Sequence, residues 1–195
     1  GRGFWFDGPD VSIEVGMLDG LALNETSAYS IVAWIDPETV IGNAHRVIAA
    51  NYMGEGGGIG NFSTFFFIQD STLSFRINQR QLAETLVSTP IGNQAQLVAA
   101  TYDGNTLRLF VGGVLLGSAE RSFSGASDNT RGWTLGNFSE ATRTPHGFSS
   151  PFYGVLDAVL LFRRALGEAE IAAINAASVD GVCLGLVFAD GFEGG

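Results

Sequence analysis

The chain has 195 residues, 46% of them hydrophobic and 15 of them phenylalanine, enough to bury one substantial core and too apolar for a disordered segment. Its net charge of −10 comes from 20 acidic residues against 10 basic ones, and every basic residue is arginine. Such a chain is repelled by phosphate backbones and has no lysine for a Schiff base or a P-loop, which argues against nucleic-acid partners and both chemistries.

No apolar run is long enough to cross a membrane as a helix. The lone cysteine, Cys183, rules out a disulfide within the chain. The acidic balance fits a secreted or cell-surface protein and supplies carboxylates for a calcium ion.

Phe4-Trp5-Phe6 reads as a first strand. Val11, Ile13 and Val15 alternate with Ser12 and Glu14, the pattern of a strand with one wet face. Ser30 to Ile35 is continuously apolar, as an interior strand should be, and ends at Asp36-Pro37, where proline limits pairing. Arg46 to Tyr52 gives a further strand before a glycine-rich loop over 54–60. Phe62 to Gln69 and Leu73 to Ile77 form a hairpin about Asp70-Ser71-Thr72.

More strands are expected at Glu84 to Ser88, Gln96 to Tyr102, Leu107 to Val111, Val114 to Ser118, Trp133 to Asn137 and Phe152 to Phe162. Asp103-Gly104 predicts a type I′ hairpin turn, and Gly112-Gly113 marks the next turn. One helix is expected, Glu168 to Ala177. Glu168 and Glu170 lie in its first turn, where the dipole favours them, and Ile171 and Ile174 share a face toward a sheet. After it, Val182 to Ala189 is another short apolar run. It serves either as a last strand of the chain's own sheet or as a donor strand to a neighbouring molecule.

Several of these pieces together resemble a known family. The hairpin Ala99 to Gly113, the stretch Gly154 to Leu166 running into Gly167-Glu168-Ala169-Glu170-Ile171, Phe6-Asp7-Gly8 and Ser30 to Ile35 resemble the laminin G-like branch of the concanavalin A-like jelly rolls. The resemblance spans roughly Phe4 to Asn175 and implies an all-β, two-sheet antiparallel sandwich with one short C-terminal helix. The domain is then 1–178, with 179–195 as a tail strand. Two departures stand out: Gly167 replaces a better helix cap, and Gly112-Gly113 replaces the family's usual Asp-Gly.

The glucanases of this fold carry Glu-x-Asp-x-x-Glu on one strand, and no such motif occurs here. Glu168 and Glu170 are explained by the helix dipole, and His45 and His146 read as surface-loop residues, so a catalytic role is the least supported reading. By resemblance, Asp7 and Asp157 would hold a structural calcium ion, with Asp10 as a third oxygen donor. Trp5 and Trp34 match positions that face the core, which leaves Tyr52, Glu55, His146 and Phe148 in loops as the residues to meet a ligand. Sequons begin at Asn24, Asn61 and Asn137.

Two functions are therefore expected. The first is a non-catalytic structural or adhesive protein that assembles with itself head to tail, Leu184, Leu186, Val187, Phe188 and Phe192 filling a partner's groove to build an extracellular filament. The alternative is a calcium-assisted carbohydrate-binding or adhesion module of a larger surface protein.

Overall fold

The computed structural model describes residues 3–16, 28–38, 44–52, 62–77, 85–121, 132–138, 149–179 and 187–189. The strands are β1 (Phe4–Phe6), β2 (Ile13–Gly16), β3 (Tyr29–Pro37), β4 (Arg46–Tyr52), β5 (Phe62–Gln69), β6 (Thr72–Ile77) and β7 (Thr85–Pro90). They continue with β8 (Gln96–Tyr102), β9 (Thr106–Val111), β10 (Val114–Glu120), β11 (Trp133–Leu135) and β12 (Gly154–Phe162), then helix α1 (Glu168–Val179) and β13 (Val187–Ala189). A seven-stranded sheet runs β1-β12-β3-β8-β9-β10, with β13 beside β12, and a six-stranded sheet runs β2-β11-β4-β5-β6-β7. All ladders are antiparallel except β12–β13. This is the expected jelly-roll sandwich.

Side-chain alternation builds the core. Along β3, Tyr29, Ile31, Ala33 and Ile35 point between the sheets, where they join Phe66, Phe75, Val98, Leu109, Trp133 and Leu156. Tyr29 sits edge-on to Phe75, Tyr102 and Trp133, with ring centroids 6.2, 5.8 and 6.3 Å away. Its hydroxyl shares a 2.6 Å hydrogen bond with Thr64 Oγ1, and burial pushes its phenol well above the usual tyrosine range.

The hairpin turns differ from the expected type. Two-residue turns with both φ angles positive occur at Asp70-Ser71 (49° and 59°) and Gly112-Gly113 (58° and 82°). At Asp103-Gly104, among the described residues, only Gly104 is positive (95°), so this turn is not type I′. The Asp103 side chain is the reason. Its carboxylate accepts from the Asn105 and Thr106 amides at 2.9 and 2.8 Å and from Arg108 at 2.6 Å, closing a longer loop. Partial burial raises the Asp103 pKa, and the Thr106, Arg108 and Asn105 hydrogen bonds outweigh it and hold the carboxyl below the usual range.

Helix α1 starts at Gly167, whose carbonyl accepts from the Glu170 and Ile171 amides at 3.1 Å each. Glu170 Oε2 accepts from the Gly167 amide at 2.9 Å, so a capping box compensates for the missing cap side chain. Arg164 and Glu170 also pair at 2.7 Å on the surface. Arg164 first, then the Gly167 amide, holds the Glu170 carboxyl below its usual range. Buried Ser30 fixes the approach to the helix, donating to the Arg164 carbonyl and accepting from the Leu166 amide, both at 2.8 Å. Gly113 has a packing role as well, since a Cβ there would lie 3.0 Å from Asn175 Cβ and 3.3 Å from Ala172 Cα.

The expected strand Trp133 to Asn137 stops at Leu135, because Gly136 adopts a φ of 74°. In the tail, Val187, Phe188 and Ala189 pair in parallel with Leu160, Leu161 and Phe162 of the same chain. Strand β13 thus extends the edge of β12 beyond the part that β1 covers.

Candidate functional site

The outer face of the seven-stranded sheet is half covered. Along β3 the outward residues are Ser30, Val32, Trp34 and Asp36, and they pass in that order from fully buried to exposed. Helix α1 and the segment leading into it cause the gradient: Ile171 and Leu166 close over Val32, Leu97, Ala99, Phe110 and Leu160, with Trp34 at the margin. Past Trp34 the face is open. There, register sets Trp5, Val155 and Asp36 side by side on β1, β12 and β3, and pairs Asp157 with Trp34.

Trp5 is 56% exposed, contrary to its expected place in the core. The cause is period two. Phe6 faces inward, edge-on to Phe152 at 6.4 Å, so the residue before it must face outward. Trp34 is half-buried and Trp133 lies in the core. Below Trp5, the chain passes so close to β12 that a Cβ on Gly3 would meet Val155 Cγ1 at 2.4 Å and Asp157 Cβ at 3.2 Å. Asp157 Oδ1 accepts from the Ala158 amide at 2.7 Å, within the β12 bulge where Ala158 has a φ of 46°.

The expected calcium ligands do not converge. Asp157 lies beside Gly3 and Asp7 follows Phe6, which pairs with Gly154. They are four positions apart along the ladder, roughly 13 Å, too far to share an ion whose ligands lie at about 2.3–2.6 Å. Asp7 and Asp10 flank one exposed turn. Among the described residues, no three His, Cys, Asp or Glu side chains cluster for a metal.

The outer face of the six-stranded sheet carries a second apolar layer of Val47, Ala50, Phe65, Phe67 and Phe138. Phe65 and Phe67 stack with centroids 4.1 Å apart, and the Arg76 guanidinium lies over Phe67 at 5.4 Å. His45 is half-buried edge-on to both rings, at 5.5 and 4.9 Å, and is no free surface histidine. All five apolar residues are buried, so among the described residues this layer offers no bare aromatic platform.

Burial first and the Arg76 charge second lower the His45 pKa, against smaller opposing effects of Gln69 and Asp70. A depressed histidine pKa means the unfolded chain binds the proton more tightly. The stabilising contribution is therefore complete above about pH 6.5 and is lost as pH falls from there through the lower folded value. Urea midpoints should drop between pH 7.5 and 5.5, and His45→Gln should shrink that drop. An unchanged drop in the variant would remove His45 as its source.

Asn137, the third sequon, is fully buried. Its Nδ2 donates to the Pro9 carbonyl at 2.7 Å and to Ser149 Oγ at 2.9 Å, while Oδ1 accepts from the Phe138 and Ser150 amides at 2.8 and 2.9 Å. The side chain is an internal brace with no room for a glycan.

Of the expected ligand residues, Tyr52 has only its backbone described, in β4, and Glu55, His146 and Phe148 lie outside the described residues. Leu184, Leu186 and Phe192 also lie outside them, while Val187 and Phe188 fall in β13.

A two-sheet jelly roll with a helix on one face is the architecture of the concanavalin A-like lectins. The family model of the concanavalin A-like lectin/glucanases superfamily, in its laminin G form, matches residues 11–172, and the chain belongs to that superfamily. No curated protein sequence matches it.

Among solved structures, the chain is similar to the CBM40 of the Ruminococcus gnavus IT-sialidase bound to alpha2,3 sialyllactose. Identity is 17%, over 77% of this chain and 83% of that one, with a TM-score of 0.60. The native heptameric SAP-like pentraxin from Limulus polyphemus is 15% identical over 87% of this chain and 78% of its own, with a TM-score of 0.60. A NanB structure with Optactamide is 18% identical over 89% of this chain but only 27% of its own length, with a TM-score of 0.64. At such identities the likeness shows the fold.

Proposed function

We propose that this chain is a carbohydrate-binding module, secreted or displayed at a cell surface, that holds its ligand on the open half of the seven-stranded sheet around Trp5. The observation that carries this reading is the exposure of Trp5 (56%) in a row with Val155 and Asp36 and near Asp157. A pyranose has a face of C–H groups that packs on an aromatic ring and a rim of hydroxyls that donate to carboxylates. An apolar platform with a few convergent polar groups is the usual make-up of a small-molecule site. Membership in a lectin superfamily and fold likeness to a sialidase CBM40 support it.

The filament reading has less support, because β13 already pairs with β12 of its own chain. A calcium ion shared by Asp7 and Asp157 is not part of this reading, since the two stand too far apart to hold one ion. A glycan array followed by calorimetry tests the proposal. Trp5→Ala should weaken the strongest interaction about tenfold or more at an unchanged melting temperature. A wild-type protein that binds no glycan would sink it.

A further inference from the structure

We propose that the Trp5 face selects uncharged glycans and rejects sialylated and other anionic ones, an inference that rests on the glycan-binding reading above. The charges of the surrounding strands carry it. Strands β1 and β8 have no charged residue, β12 has only Asp157, and β3 has only Asp36. Where the chain leaves the face, Asp7 follows β1 and Glu38 follows β3, both exposed. The Glu38 amide donates to the Tyr153 carbonyl at 3.1 Å, which holds that residue beside the entry to β12.

Four carboxylates therefore border one tryptophan. Asp36 stands two strand spacings from Trp5, about 10 Å between Cα atoms. A sugar lying between them is within about one Debye length, roughly 8 Å, of that charge.

Recognition of an anionic sugar calls for a guanidinium fork or an ammonium group. None of the six described arginines lies on β1, β12, β3 or β8. Arg46, on β4, has its guanidinium engaged over the Tyr153 ring at 5.3 Å, and Arg76 belongs to the opposite sheet. Arg108 pairs with Asp103 at 2.6 Å, and Arg164 pairs with Glu170 at 2.7 Å. Arg121 and Arg163 follow β10 and β12 at the end of the sheet away from Trp5. The carboxylates of Asp36 and Asp157 can only accept hydrogen bonds, and sugar hydroxyls can donate them. The face thus fits the hydroxyl rim of a neutral pyranose and opposes a sialic acid carboxylate, a repulsion the net charge of −10 reinforces. Its fold neighbour holds sialyllactose, so shared architecture and ligand charge part company here.

The test titrates the whole chain with uncharged gluco-, galacto- and manno-oligosaccharides, alpha2,3 sialyllactose, and cationic glucosamine oligomers, in wild type and Trp5→Ala. Expected are binding of at least one uncharged series, sialyllactose weaker by about tenfold or more, and loss of binding in Trp5→Ala. Sialyllactose binding as tightly as the best uncharged ligand, or cationic glucosamine oligomers binding no better than sialyllactose, would overturn the selectivity while leaving a glycan-binding module. Uncharged glycans held equally by Trp5→Ala would overturn the location. Binding of no glycan would overturn the functional reading itself and this inference with it.

Discussion

Replacing Gly136 by alanine should destabilise the protein by about 4 kcal/mol, a large part of the roughly 5–15 kcal/mol that holds a domain folded. Two separate costs combine. At a φ of 74° any L-residue with a Cβ is strained, at about 1–2 kcal/mol. The added carbon would also stand 1.9 Å from Phe6 Cε1, so the ring must move. It has nowhere to go, because Phe6 is buried and packs edge-on against Phe152. The backbone is pinned as well: the Gly136 amide donates to Ile48 at 3.2 Å, and its carbonyl accepts from Phe152 at 2.7 Å.

Gly112→Ala separates the two costs. Gly112 has a φ of 58° and open space around its virtual Cβ, so that variant should lose only the strain of about 1 kcal/mol. Urea unfolding of both variants gives the comparison, and Phe6→Ala should cost clearly less in the Gly136→Ala background than in wild type, because it also removes the clash. Equal losses for the two glycines would refute the clash. If the clash is real, it links the core to the site, since displacing Phe6 displaces the strand that presents Trp5.

Much of the sandwich was legible because period two fixes both the strand and its faces. Gln96 to Tyr102 reads as a strand from its largely apolar run, which is buried throughout, and Leu107 to Val111 reads as one from alternation, each beside a turn. Trp5 was legible on the same rule but was misassigned by family position, although an inward Phe6 obliges its neighbour to face out. Asp7 and Asp157 were brought together by family order, whereas antiparallel register places them at opposite ends of the β1–β12 pairing. The aromatic layer on the six-stranded sheet had no local signal. Phe62 to Gln69 reads as one arm of a hairpin, and among the described residues it is Phe138, far along the chain, that packs on its outer side. The Asp103 turn failed for a chemical reason, since its side chain competes for the amides that a two-residue turn leaves free.

Asn137→Asp should cost about 3 kcal/mol near neutral pH, and the loss should shrink as the solution is acidified. In the native side chain the two ends have opposite tasks. Nδ2 donates to the Pro9 carbonyl and Ser149 Oγ, and Oδ1 accepts from the Phe138 and Ser150 amides. A carboxylate keeps the second task but turns a donor into an acceptor facing the Pro9 carbonyl, in a position without water contact. Ser149 cannot repair this fully, because its single hydroxyl proton already serves Pro9 at 2.6 Å. A protonated carboxyl could donate to Pro9 again, so the folded-state pKa of the new group should lie above its unfolded value of about 3.9. With that sign, the folded variant is least penalised below the unfolded pKa, and the penalty grows as pH rises through the folded one. Urea midpoints of the variant against wild type at pH 4 and pH 7 measure this, and a pH-independent difference would refute the assigned geometry. The same geometry predicts that folded protein made in a glycosylating host carries no glycan at Asn137. Because Asn137 ties the β1–β2 turn to the segment entering β12, while Ser150 accepts from Val47 at 3.0 Å, losing the brace frees both strands that flank the open face. Glycan affinity of the Asn137→Asp variant should therefore fall along with its stability and recover at the pH where the brace is partly restored.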